Sequence, residues 1–149
     1  VFALTRQNVP HLTRPDGFDP ADMLRGGYVL ADESDAAVTL IATGAEVSLA
    51  VAAKKILDAQ GRRTRVVSMP CLEAFSRQDA SYRESVLGAG VRVSIELGVT
   101  APWRGLIGDR GLAIGHDGFG FSAPAKVIAE KLGFTPEGIA GKVSAHLGT

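Results

Sequence analysis

Few residues in this sequence have the types and spacing that chemistry requires. The segment Thr43-Gly44-Ala45-Glu46 lies between an apolar run and a helical pattern, where free backbone amides at a helix N-terminus could hold an anion. It contains one glycine and therefore lacks the fingerprint of dinucleotide-binding turns. The pattern favours a helix cap without a ligand, and the helix dipole is enough to explain Glu46.

Three polar residues end or follow predicted strands. These are Thr43, Ser68 and Glu96. Ligands of open α/β sheets gather at the carboxyl ends of the strands, so the three side chains could face one crevice. The types of these residues do not indicate which ligand such a crevice would bind.

The cysteine and the histidines show no catalytic or metal-binding pattern. Cys71 has no histidine or lysine beside it in the sequence that would activate the thiol, and we expect a small packed side chain. His11, His116 and His146 lack the spacing of metal ligands. His116 and Asp117 lie between glycines and are interpreted as a loop pair. The sequence thus predicts no catalytic residue, no cofactor-binding residue and no metal site.

The composition of the chain bears on whether it binds nucleic acid or a membrane. The chain has 149 residues, is 46% hydrophobic and has a formal net charge of 0, so no electrostatic feature suggests a nucleic-acid or membrane partner. No apolar run approaches the roughly 20 residues of a membrane span. A single cysteine excludes an intrachain disulfide and is compatible with a reducing compartment. We expect a cytoplasmic protein that contacts neither nucleic acid nor membrane.

Strand and helix patterns alternate from residue 27 onwards. Strands are predicted at 28–31, 38–42, 64–69, 91–97 and 112–114. Helices are predicted around the apolar stripe 49–57, at 78–87, between 124 and 133, and from Thr135 onwards. This order predicts a mainly parallel sheet with helices on both faces, in a three-layer α/β/α domain. Residues 6–26 hold little regular pattern and resemble a linker.

Three segments resemble the transketolase family, in the order that the family has them. The quoted motifs are Leu4-Thr5-Arg6-Gln7-Asn8 with 25–30, then 41–50, then 65–70 continuing through Phe75, Gln78 and 82–87. Weaker similarity follows at 119–120, 122–124 and 133–135. Two departures are visible, at Thr5, where the family usually has serine, and at 71–74.

The resemblance implies an architecture. It implies a five-stranded sheet whose first strand is antiparallel to the rest, at one edge. It divides the chain into the tail of a middle, pyrimidine-binding domain (1–8), a linker (9–26) and the carboxy-terminal domain (27–149). Val1 to Leu4 would then belong to a strand that begins before this sequence does.

The resemblance also implies an activity. Transketolases transfer a two-carbon ketol unit from a ketose phosphate to an aldose phosphate in the pentose phosphate pathway, using thiamine diphosphate and Mg²⁺ in a homodimer. The cofactor lies between the other two domains, so the fragment alone is expected to be inactive. Arg6 matches a position that contacts the phosphate of the sugar substrate in the family, and a guanidinium group suits that contact.

Two alternatives remain open at this point. Dihydroxyacetone synthase shares the cofactor and a similar domain order. A free-standing small-molecule or interaction module of the same fold is the alternative from another class. Trp103 and Phe119 could mark packing against another domain or subunit, or could be core residues.

Overall fold

The computed structural model describes residues 8–148 of the chain. Its five strands are β1 (Tyr28–Ala31), β2 (Val38–Ala42), β3 (Thr64–Ser68), β4 (Val91–Ile95) and β5 (Leu112–Ile114). Its α-helices are α1 (Glu46–Ala59), α2 (Leu72–Ser76), α3 (Ala80–Leu87), α4 (Arg104–Ile107), α5 (Ala125–Leu132) and α6 (Pro136–His146). Two 3-10 helices span Pro20–Arg25 and Ala101–Trp103.

The strands form one sheet in the order β1-β3-β2-β4-β5. Neighbouring strands from β3 to β5 are parallel, and β1 at the edge is antiparallel to β3. Every residue of the central strand β2 is buried, as expected for a parallel strand covered on both faces. The predicted fold, with its single antiparallel edge strand, is confirmed.

Alternation along β2 produces the two cores of the domain. Leu40 packs in a cluster with residues of α1 and α6, whereas Ile41 packs in a second cluster with residues from α2, α3 and α4. Successive side chains of a strand point to opposite faces. The helices therefore form separate layers above and below the sheet.

Local signals explain where several helices begin and end. The side chains of Asp79 and Thr135 accept hydrogen bonds from backbone amides in the first turns of α3 and α6, as N-capping residues do. Gly133 adopts a left-handed conformation after α5, which is the common glycine termination of a helix. These helices follow the predicted pattern closely.

Some elements differ from the prediction. The 3-10 helix Pro20–Arg25 lies inside the segment predicted to be a linker, and α2 was not predicted. Strand β4 stops at Ile95 rather than at Leu97, because the amide of Leu97 donates to the Glu46 carboxylate instead of to a neighbouring strand.

The predicted domain boundaries remain predictions. Among residues 8–148, no helix combines the length and apolar composition that crossing a bilayer requires.

Candidate functional site

The one predicted substrate contact lies outside the described residues. Arg6 and the motif around it precede residue 8, as does the strand expected at Val1 to Leu4. The assignment of Arg6 therefore stays a prediction. Within residues 8–148, the candidate site is the cavity at the carboxyl edge of the sheet.

This cavity has a volume of about 460 Å³. Its floor includes Ser68 at the end of β3 and Tyr28 at the start of β1, which face each other in the antiparallel pair. Gly44 and Ala45, which precede α1, form a second wall. We call this space the edge cavity.

The segment predicted to be a linker forms another wall of the edge cavity. His11 and Arg14 line the cavity together with apolar residues of the same segment. Arg14 Nη1 donates to the carbonyl of Leu12 at 3.0 Å, and its guanidinium carbon lies 5.8 Å from the centre of the Tyr28 ring. The sequence analysis did not consider Arg14, and it considered His11 only as a metal ligand, because no local pattern predicts that residues 9–14 pack on the sheet edge.

The N-terminus of α1 opens towards the edge cavity without a side-chain cap. Ala45 occupies the capping position and has no side-chain hydrogen bond to offer. The carboxylate of Glu46 is directed elsewhere, to the amide of Leu97 at 3.3 Å. Among residues 8–148, nothing accepts a hydrogen bond from the amides of Gly44 and Ala45. The turn expected before α1 is present. In addition, it borders the edge cavity, which the sequence did not indicate.

The predicted crevice is assembled only in part. Of the three polar residues at the carboxyl ends of strands, Ser68 lines the edge cavity, whereas Thr43 and Glu96 are absent from its described lining. Glu96 instead accepts a hydrogen bond of 2.7 Å from Nε1 of Trp103. Its side chain is used to hold the 3-10 helix Ala101–Trp103 against β4.

The loop after β5 holds the predicted His116 and Asp117 pair. Asp117 accepts hydrogen bonds from the backbone amide and the hydroxyl of Thr100, at 2.7 and 2.8 Å. These bonds, the backbone one first, hold the pKa of Asp117 below its ordinary value. His116 is engaged with the carbonyl of Phe119 at 2.8 Å. Both residues lie in a loop, as the sequence analysis predicted, and their side chains form hydrogen bonds that hold this loop in place.

The remaining candidates are separate from one another. Cys71 is half-buried, and its Sγ atom lies 3.6 Å from Oε2 of Glu73. His146 pairs with the carbonyl of Arg110 at 2.9 Å. In the described part of the chain, no group of three His, Cys, Asp or Glu side chains is placed to hold a metal ion.

The two aromatic residues singled out from sequence have opposite environments. Trp103 is 2% exposed and belongs to the core that contains Ile41, whereas Phe119 is 97% exposed. Leu97, Val99 and Phe121 are also exposed apolar side chains. Trp103 is thus a core residue. Phe119 is one of five exposed large apolar side chains between residues 97 and 127, and we use the name Phe119 surface for this set of side chains, Leu97, Val99, Phe119, Phe121 and Val127.

Known proteins resemble this chain over most of its length. A family model described as the transketolase-like TK C-terminal domain matches residues 26–135. The plasmid transketolase of Cupriavidus necator is 49% identical over 140 residues, which are 93% of this chain and 21% of that protein. Transketolase 1 of Escherichia coli is 45% identical over 147 residues, covering 97% of this chain and 22% of that protein.

Solved structures of transketolases also resemble this chain. A transketolase mutant from Pichia stipitis superimposes with a TM-score of 0.83 at 35% identity, over 95% of this chain and 20% of that chain. The chain thus spans about a fifth of the length of these relatives. Sequence motifs, sheet order and family model point to the same assignment: the chain belongs to the transketolase family, as a C-terminal domain.

Proposed function

We propose that this chain is the C-terminal domain of a cytoplasmic transketolase, which transfers a two-carbon ketol unit from a ketose phosphate to an aldose phosphate in the pentose phosphate pathway. The observation that carries the proposal is the identity of 45–49% to transketolases across more than nine-tenths of the chain. The relatives named above are transketolases, and no feature of residues 8–148 favours dihydroxyacetone synthase or a free-standing module.

The described residues do not fit the cofactor of that reaction. Thiamine diphosphate is anchored in this family through a divalent ion, and residues 8–148 offer no cluster of ligands for one. The sequence also lacks a Gly-Asp-Gly metal motif. The proposal therefore assigns thiamine diphosphate and Mg²⁺ to other domains of the enzyme, and it assigns no chemical step to this domain.

For this domain we propose a contact role. The Phe119 surface lies on the segment after β4, the segment after β5 and helix α5. Its side chains would lose contact with water if the remaining four-fifths of a transketolase packed there, and buried apolar area contributes about 25 cal/mol per Å². Assembly of the whole enzyme as a homodimer belongs to the same proposal.

Arg6 is the proposed link between this chain and the substrate. A guanidinium group stays charged at working pH and can bind two phosphate oxygens at once. Arg6→Ala in the complete enzyme should raise KM for sugar phosphates about ten- to a hundredfold, since a hydrogen bond to a charged group is worth about 1.5–3 kcal/mol. Arg77→Ala, which removes an exposed charge, is the matched control. An unchanged KM in the Arg6 variant would remove this assignment.

A further inference from the structure

A buried guanidinium nitrogen without a hydrogen-bond partner distinguishes Arg83 from the other described side chains. Nε of Arg83 is shielded from water, and it has no partner among residues 8–148. The same guanidinium group donates to the carbonyl of Ser76 at 3.5 Å, which is beyond the usual range of about 2.7–3.2 Å. Buried polar groups are nearly always hydrogen-bonded, so this exception requires an explanation.

Arg83 lines two cavities in the helical layer formed by α2, α3 and α4. Their volumes are about 330 and 220 Å³, and both are lined by Arg83, Gly105 and Leu106. The larger cavity adds apolar residues, among them Leu72 and Pro102. We call the two cavities together the Arg83 groove. It shares no described lining residue with the edge cavity.

The half-buried charges of the Arg83 groove are positive and lack counter-charges. Arg92 lines the smaller cavity, and its guanidinium group donates to two backbone carbonyls, at 3.2 and 3.5 Å. In the described part of the chain, neither Arg83 nor Arg92 forms an ion pair. Glu73 and Glu84 also line the groove, but both are exposed, where solvent ions screen their charges. A carboxylate that entered the groove would therefore meet complementary charge.

Gly105 leaves room in the Arg83 groove. It lies inside α4, although glycine is among the least favourable residues in a helix. No atom from another part of the chain lies within 4 Å of the position that its Cβ would occupy. A larger side chain would thus fit in this domain alone, and the open space is available to a group from outside residues 8–148.

The length of the chain indicates where such a group would come from. The chain spans about a fifth of the length of its transketolase relatives, so under the proposed function most of the enzyme lies in other domains. A segment of those domains that packed on Leu72 and Leu106 would bring a carboxylate within reach of Arg83. A guanidinium group pairs with a carboxylate through two parallel hydrogen bonds, and Nε is one of the available donors.

We propose that the Arg83 groove is the docking site of a segment from another domain of the complete enzyme, in which an aspartate or glutamate pairs with Arg83. The inference rests on the proposed function only in requiring that this chain be a domain of a longer protein. It adds a charged contact to the apolar contact proposed for the Phe119 surface, since no residue of that surface belongs to the described lining of the groove.

Carbodiimide cross-linking of the complete enzyme tests this pairing. Arg83→Lys keeps the positive charge and supplies an amine, which the reagent joins to a carboxylate in contact with it. Mass spectrometry of the digested product should identify a cross-link from position 83 to an aspartate or glutamate outside this chain. Arg77→Lys is the matched control, because Arg77 is exposed and lies outside the described lining of the groove. It should not form that cross-link.

A second variant fills the groove. Gly105→Leu should not lower the urea midpoint of the chain on its own, because the Cβ position at Gly105 is open. Combined with Arg83→Lys in the complete enzyme, it should reduce the yield of the cross-link about tenfold or more, because the added side chain overlaps with the docked segment. Gly141→Leu, at an equally open position in α6, should leave the yield unchanged.

The proposal is overturned if position 83 forms no cross-link, if it is joined only to carboxylates of this chain such as Glu73 and Glu84, or if Gly105→Leu leaves the yield unchanged. Ketol transfer by the parent enzyme is measured in parallel. Its absence together with the expected cross-link would reject the proposed function and keep the docking site. Ketol transfer without the cross-link would keep the function and reject the docking site.

Discussion

Nε1 of Trp103 donates a hydrogen bond of 2.7 Å to Oε2 of Glu96. This contact joins the carboxyl end of β4 to the 3-10 helix that follows it, and it explains why Glu96 takes no part in the edge cavity. Trp103 is the only tryptophan of the chain, so the intrinsic tryptophan fluorescence reports on the environment of this indole alone. The bond therefore offers a sensitive test of the packing around β4.

Glu96→Ala should lower the free energy of unfolding by about 1.5–3 kcal/mol, because a hydrogen bond to a charged acceptor is lost and the buried indole donor is left unpaired. Urea unfolding followed by the fluorescence of Trp103 measures the change. Glu96→Gln keeps an acceptor and should lose less. Equal stability of the Glu96→Ala variant and the parent would show that the bond contributes nothing.

Acidic pH should weaken the hydrogen bonds by which Asp117 holds its loop to Thr100. Hydrogen bonds from the amide and hydroxyl of Thr100 lower the pKa of Asp117 in the folded chain. A carboxyl group with a lowered folded pKa stabilises the fold above its unfolded pKa, and this stabilisation is lost as pH falls through the folded value. The carboxyl signal of Asp117 should therefore titrate below 3.8, its ordinary pKa.

The corresponding variant is Asp117→Asn. It should be less stable than the parent at neutral pH, and the difference should shrink as pH falls below the folded pKa of Asp117, where the parent also lacks the charge. Urea midpoints measured at several pH values follow this difference. A constant difference between the two proteins at all pH values would contradict the role of the carboxylate.

Gly26 cannot be replaced without strain. It has a φ of 89°, and a Cβ atom there would collide with the backbone of Cys71 and Phe75. Gly26→Ala should cost at least about 2 kcal/mol of stability in urea unfolding, from the left-handed conformation and the collision together. Gly120→Ala is the control, because no atom lies within 4 Å of its Cβ position. A Gly26→Ala variant as stable as the control would contradict this packing.

Most of the fold could be predicted because its signals are local. The apolar run of β2 indicates a buried strand, and Thr135 with Pro136 indicates the start of α6. Helix α2 was missed because it has five residues, one buried side chain and no side-chain cap. The 3-10 helix that begins at Pro20 was missed for a similar reason, since none of its residues is buried.

The edge cavity could be predicted only in part. The position of Ser68 at the end of a parallel strand indicates the correct edge of the sheet. The contribution of Arg14 depends on how the chain before β1 folds back over that edge, which is a tertiary contact without a local pattern. Glu96 also follows the end of a parallel strand, yet its carboxylate accepts a hydrogen bond from Trp103 and does not line the edge cavity. No spacing in the sequence distinguishes Glu96 from Ser68 in this respect.

The most direct test of the assignment is a chimaera. Residues 27–149 of this chain would replace the C-terminal domain of Escherichia coli transketolase 1, which is 45% identical over the aligned region. Ketol transfer between sugar phosphates would be measured for the chimaera, for the parent enzyme and for the parent without its C-terminal domain. We predict that the chimaera retains kcat and KM close to those of the parent. A folded, soluble chimaera that binds thiamine diphosphate but does not transfer the ketol unit would contradict the assignment.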